Sequence, residues 1–109
     1  MEDQDIPLAN SDVLYKSLIG EADYSVTRTT VRPGGETQWH HHTHISDRFV
    51  VVRGVLTVEF REGSEVRKVE VRDYYALAPG VHHHVRNETQ TDVVYINVQS
   101  GGERDIVIE

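Results

Sequence analysis

The stretch Gly34-Gly35-Glu36-Thr37-Gln38-Trp39-His40-His41-His42-Thr43-His44-Ile45-Ser46-Asp47 decides the reading of this chain, because it sets four histidines and a carboxylate behind a glycine turn. A second window, Val81-His82-His83-His84-Val85-Arg86-Asn87, holds the other three of the 7 His. Side chains on a strand alternate between its two faces. In the first window Gln38, His40 and His42 therefore share a face, and Trp39 and His41 oppose them. Two imidazoles one pleat apart on one face can reach a single metal ion. Asp47, five residues beyond His42, can return a carboxylate to the same point across a turn. In the second window His83 opposes His82 and His84 and lies in phase with Val81 and Val85, so its face looks inward. Burying an unpartnered imidazole is costly, and a metal ion supplies the partner.

Outward from these windows, β-branched and aromatic residues recur in short runs. The candidate strands are 24–32, 36–42, 48–53, 55–61, 66–71, 75–77, 81–86, 92–99 and 105–108. Breaks such as Pro33-Gly34-Gly35, Gly54, Glu62-Gly63-Ser64 and Ala78-Pro79-Gly80 separate them. Many short strands with frequent turn signals predict an all-β fold, a sandwich or barrel of two antiparallel sheets. Leu56, Val58 and Phe60 alternate with Thr57 and Glu59, as a half-buried strand requires. Residues 13–19 carry only a weak helical period and read as a turn of helix or an edge strand.

The chain of 109 residues suits one domain, spanning residues 1–109 with residues 1–20 as an N-terminal extension or edge strand. The absence of Cys excludes a disulfide framework, a thiolate metal site and a cysteine nucleophile. A net charge of −7 argues against nucleic acid and against an anionic membrane surface as partners. The longest apolar run, residues 49–52, is far too short to cross a bilayer. The acidic start Met1-Glu2-Asp3-Gln4-Asp5 is unlike a signal peptide, so the expected location is the cytoplasm.

The two windows resemble the paired signatures of the cupin superfamily. In the first, Gly34 is followed at family spacings by His40, His42, Asp47 and Gly54; in the second, Asp73 is followed by Pro79, Gly80, His83 and Asn87. The resemblance implies a double-stranded β-helix, a jelly-roll barrel, with His40, His42, Asp47 and His83 as metal ligands on its inner wall. Asp47 stands where the family usually has Glu, and Arg72 where it usually has Gly. The shorter Asp47 either ligates directly or acts through a bridging water.

Three imidazoles and a carboxylate suit one divalent transition metal ion per chain (Fe, Mn, Ni, Co, Zn or Cu) without selecting among them. Four protein ligands leave positions open for water, dioxygen or a chelating substrate. Gln38 shares the ligand face and is a candidate substrate contact; Phe49, in phase with Asp47, is a candidate apolar wall; Tyr95 is a candidate pocket hydroxyl. His41, His82 and His84 read as surface or interface residues, and His44 as a residue of the pocket mouth or a substitute for Asp47. Asp73 and Asn87 suit turns. Three functions fit: a metal-dependent enzyme of dioxygenase, isomerase or lyase type acting on a small organic molecule, a non-catalytic small-molecule or metal-binding module, and an interaction domain with an empty site. Val50 and Val52, opposite in phase to Phe49 and Val51, give one strand two apolar faces and predict a homodimer.

Overall fold

The computed structural model describes residues 4–5 and 9–109. Eleven strands and no α-helix occur among the described residues. In chain order they are β1 (Gln4–Asp5), β2 (Val13–Gly20), β3 (Tyr24–Val31), β4 (His40–His41), β5 (Ser46–Arg53) and β6 (Leu56–Glu62). Then follow β7 (Glu65–Val71), β8 (Tyr74–Leu77), β9 (His83–Arg86), β10 (Val93–Ser100) and β11 (Val107–Ile108). They form two antiparallel sheets, one in the order β1-β2-β3-β10-β5-β8 and the other in the order β11-β4-β9-β6-β7. Consecutive strands repeatedly switch sheets, as in a jelly roll, so residues distant in sequence face one another across the interior.

Local chemistry explains the main turns. The loop between β6 and β7 is Gly63-Ser64, with φ of 63° at Gly63, which suits a hairpin turn with glycine first. At Gly54, φ is 83°, and an added Cβ would lie 2.8 Å from the Asp92 carbonyl. Both the dihedral and the close approach require glycine there. Asn87 is buried, donates from Nδ2 to the carbonyls of Val31 (2.8 Å) and Thr91 (2.7 Å), and accepts from Thr89 N (2.8 Å). It ties the turn before β10 to the end of β3.

Residues 13–19 lie within β2, paired with β3, and show no helix. A register shift between Ser17 and Ile19 breaks the alternation there, which is why the sequence period is indistinct. The apolar core includes Val13, Val31, Leu56, Val58 and Val93, all 0% exposed. Phe49 and Tyr95 pack edge to face at 5.6 Å, and with Val85 they separate this core from a cavity between the sheets. The other face of β5 carries Val50 (37% exposed) and Val52 (61%), with exposed Tyr74 opposite Val50. No helix among the described residues is long and apolar enough to cross a membrane.

Candidate metal centre

The pairing of β4 with β9 sets His40 directly opposite His83, with ring centroids 4.4 Å apart. His42 follows β4, and its carbonyl accepts from Gly80 N at 2.7 Å. Asp47 comes from β5 in the facing sheet, so the three rings and the carboxylate meet between the sheets. All four residues are buried, and each offers a donor atom within 4.8 Å of the others.

Each imidazole is fixed through its Nδ1. His40 donates to the Gln38 carbonyl (2.7 Å), His83 to the Val81 carbonyl (2.9 Å) and His42 to the Asp105 carbonyl (2.7 Å). A carbonyl only accepts, so Nδ1 carries the proton and, in the neutral ring, the Nε2 lone pair is left for another partner. Asp47 Oδ2 lies 3.0 Å from His83 Nε2 and 3.2 Å from His42 Nε2. His42 Nε2 is buried without a hydrogen bond. Lone pairs facing a carboxylate oxygen at these distances repel unless a proton or a metal cation lies among them. Ligand bonds of about 2.1 Å place adjacent donors of an octahedral ion about 3 Å apart and opposite donors about 4.2 Å apart. The Asp47 contacts match adjacent positions, so these four buried residues could hold a metal ion. Asp47 Oδ2 reaches the rings despite its shorter side chain, while Oδ1 accepts from Asn97 Nδ2 at 2.5 Å. That bond turns Oδ2 toward the histidines, as partners of metal-binding carboxylates commonly do.

Burial, followed by the neighbouring His83, pushes the His40 ring down to about 4, so it is neutral near pH 7. Burial also disfavours charge on His42, but the Asp47 carboxylate beside it outweighs burial and raises that ring above its ordinary value. Burial opposes ionisation of Asp47, yet His42 and His83 hold it well below the usual carboxylate range. Burial raises the Tyr95 phenol above its ordinary value, with the Asp47 charge adding to the effect, so it is a neutral hydroxyl.

The four residues line a cavity of about 310 Å³. Ser25, Thr27 and Thr29 from β3 and Asn97 and Gln99 from β10 form a polar wall; Phe49, Val85, Ile106 and Ile108 form apolar ones. Phe49 and Tyr95 both line the cavity, but Gln38 does not. The expected phase of Gln38 is corrected by a bend at Trp39, which breaks the strand ahead of His40. Thr37 therefore faces the cavity, while Gln38 is exposed beside an outer groove.

His41 and His82 are half-buried on the outside, with stacked rings 4.3 Å apart. The surface reading of His84 is corrected too: it is only 6% exposed. It does face away from the cavity, but Trp39 covers it at 4.6 Å and Glu59 binds its Nε2 at 2.9 Å. His44 is exposed and stands outside the group of four. Sequence reasoning missed Asn97, although its alternation with Tyr95 and Gln99 puts it on the inward face. It also missed Asp105, whose contact with His42 runs through a main-chain oxygen and leaves no residue-type signal.

A family model described as the cupin domain matches residues 27–99, and the chain belongs to this family. The chain is 28% identical over 75 residues to Uncharacterized protein YdbB of Bacillus subtilis (strain 168); the match covers 69% of this chain and 64% of that one. Among solved structures it is similar to a recombinant oxalate oxidase in complex with glycolate, with a TM-score of 0.78, 19% identity, and coverage of 91% of this chain and 56% of the other. It is also similar to KdgF from Halomonas sp., with a TM-score of 0.73, 19% identity, and coverage of 93% and 88%. These likenesses show the double-stranded β-helix fold. The chain spans less than two-thirds of the length of YdbB and of the oxalate oxidase chain.

Proposed function

We propose that this cupin holds one divalent transition metal ion through His40, His42, Asp47 and His83 and acts as a metal-dependent enzyme on a small organic molecule. The observation that carries the reading is the convergence of three Nε2 atoms, their rings fixed through Nδ1, with Asp47 Oδ2 in a partly apolar cavity. When bound, the ion supplies Lewis acidity and open coordination positions, or redox chemistry for a redox-active metal. The chain's own residues do the rest. Asn97 orients Asp47, Phe49 and Val85 keep one side dry, and the neutral Tyr95 hydroxyl stays protonated at neutral pH.

Non-catalytic binding of a small molecule at the same centre is the second reading. It is favoured by the absence of Lys, Glu or a further His from the cavity lining among the described residues, which leaves no obvious separate acid or base. A homodimer joined through the Val50 and Val52 face fits either reading. The test is metal analysis of the purified protein, followed by screening small organic acids, sugars and phenols for turnover and for binding. Turnover that depends on the metal supports the enzyme, binding without turnover supports the second reading, and failure to take up any divalent metal overturns both.

A further inference from the structure

Among the described residues, Arg104 is the only cationic Lys or Arg side chain lining the cavity, and it is held in place from two sides. Its main-chain N donates to the Ala22 carbonyl at 3.1 Å, and its side-chain Nε donates to the Glu21 carbonyl at 2.7 Å. Both contacts are to the turn between β2 and β3. The next residue, Asp105, grips Thr43 through N (2.7 Å) and Oγ1 (2.6 Å), which anchors the segment on its other side. The two terminal Nη groups of Arg104 have no partner among the described residues. Arg104 is exposed at the cavity rim, and a guanidinium anchored through Nε keeps its paired Nη donors for an incoming planar acceptor with part of its ordering cost already met.

The charge balance points the same way. The chain carries a net charge of −7, yet among the described residues Asp47 is the one carboxylate in the cavity lining, and it is engaged by His42, His83 and Asn97. Among the described residues the cavity therefore has a cationic group at Arg104 and no free anion to match it. A phosphate monoester brings nearly two negative charges at neutral pH, more than one guanidinium offsets. A carboxylate matches both the charge and the flat two-oxygen shape.

We infer that the cavity takes a small carboxylic acid, with Arg104 binding a carboxylate of the ligand at the cavity wall opposite in role to the metal centre. The inference rests on the metal-centre reading above and names its ligand class. The remaining atoms of the ligand lie among the hydroxyls of Thr27 and Thr29 and the apolar wall of Ile106 and Ile108. Arg104 is thereby a specificity residue: it separates acids from their neutral analogues, while the four buried residues hold the ion.

The experiment uses the full chain loaded with Ni²⁺, with metal content measured in every sample. Malonate, succinate, glutarate and adipate are titrated by calorimetry beside the half-amide of each. The first carboxylate is free to meet the ion in both members of a pair, so the difference reports the second. One dicarboxylate is expected to bind at least about tenfold more tightly than its half-amide, as a charge-assisted bidentate pair implies. Arg104→Gln removes that preference, and Arg104→Lys restores part of it; melting temperatures establish that both variants are folded. Equal binding of every diacid and half-amide by the wild type, or an undiminished preference in Arg104→Gln, overturns the inference. If the wild type takes up no Ni²⁺ or other divalent metal, the metal-centre reading fails instead. Tighter binding of phosphoglycolate than of every dicarboxylate overturns the choice of carboxylate.

Discussion

The main-chain oxygen of Asp105 accepts a hydrogen bond from His42 Nδ1 at 2.7 Å, across 63 residues of sequence. Asp105 in turn holds Thr43 N and Oγ1 with its carboxylate, so the segment after β10 locks the residue beside His42 as well as the ring itself. This segment lies beyond the matched region 27–99, yet it positions one of the four candidate ligands.

Replacing Asp105 with Ala, or Thr43 with Val, is therefore expected to weaken metal affinity by about 10–100-fold, the usual effect of losing a group that orients a ligand. Competition with a chelator of known affinity measures it. The strand content, read by circular dichroism, is expected to persist. Unchanged affinity in both variants would show that His42 needs no such support.

The histidines are expected to divide into two groups. His40→Ala, His42→Ala and His83→Ala lose bound metal and its stabilisation. His41→Ala, His82→Ala and His84→Ala retain it. His84→Ala is expected to lower stability by about 1–3 kcal/mol without loss of metal, because the half-buried Glu59 contact and Trp39 packing go with it. Metal content and melting temperature, measured on the same samples, separate these outcomes.

Asp47→Glu restores the residue usual in the family but adds a methylene where the carboxylate already contacts His42, His83 and Asn97. With Asn97 Nδ2 only 2.5 Å from Oδ1, the longer side chain keeps these contacts only by displacing Asn97. The metal-free variant is expected to lose about 1–3 kcal/mol of stability, the common cost of overpacking. Asn97→Ala in the same chain is expected to recover part of it. Denaturant melts of the single and double variants in chelator provide the comparison.

The stability of the chelated protein is expected to peak near the ordinary imidazole range. His40, held down at about 4 by burial and His83, stays neutral in the folded chain while the unfolded chain takes a proton. Its contribution is present above 6.5 and is lost as pH falls toward 4, at most about 3 kcal/mol. His42 has the opposite sign. Its folded value is raised, so its contribution is complete below 6.5 and is lost as pH rises through that raised value. Metal competes with the His42 proton, so metal affinity is expected to increase with pH through this upper range. Melts from pH 4 to 9, with chelator and with metal, test both limbs. A metal-free protein whose stability rises steadily across the whole range would contradict the assignment to His42.

Val50, Val52 and Tyr74 form the exposed apolar face proposed to join two copies. Val50→Glu combined with Val52→Lys is expected to convert a dimer into a monomer in light scattering at micromolar concentration. A wild-type protein that is already monomeric there contradicts the proposed interface.

Read by itself, the sequence determined the all-β class, most strand positions and the inward phase of His40, His42 and His83. Alternation is a local property of extended backbone, and it survives whatever packs around it. The tertiary structure alone decided how that phase fails at Gln38, where the bend at Trp39 inserts an irregular step. It also decided that outward-facing His84 is covered, because the covering Trp39 and Glu59 come from neighbouring strands or their approaches. The support given to His42 by Asp105, and the placement of Arg104 on the cavity wall, depend on where the chain lies after β10. Such contacts join residues far apart in sequence, often through main-chain atoms that every residue type shares, so no local pattern encodes them.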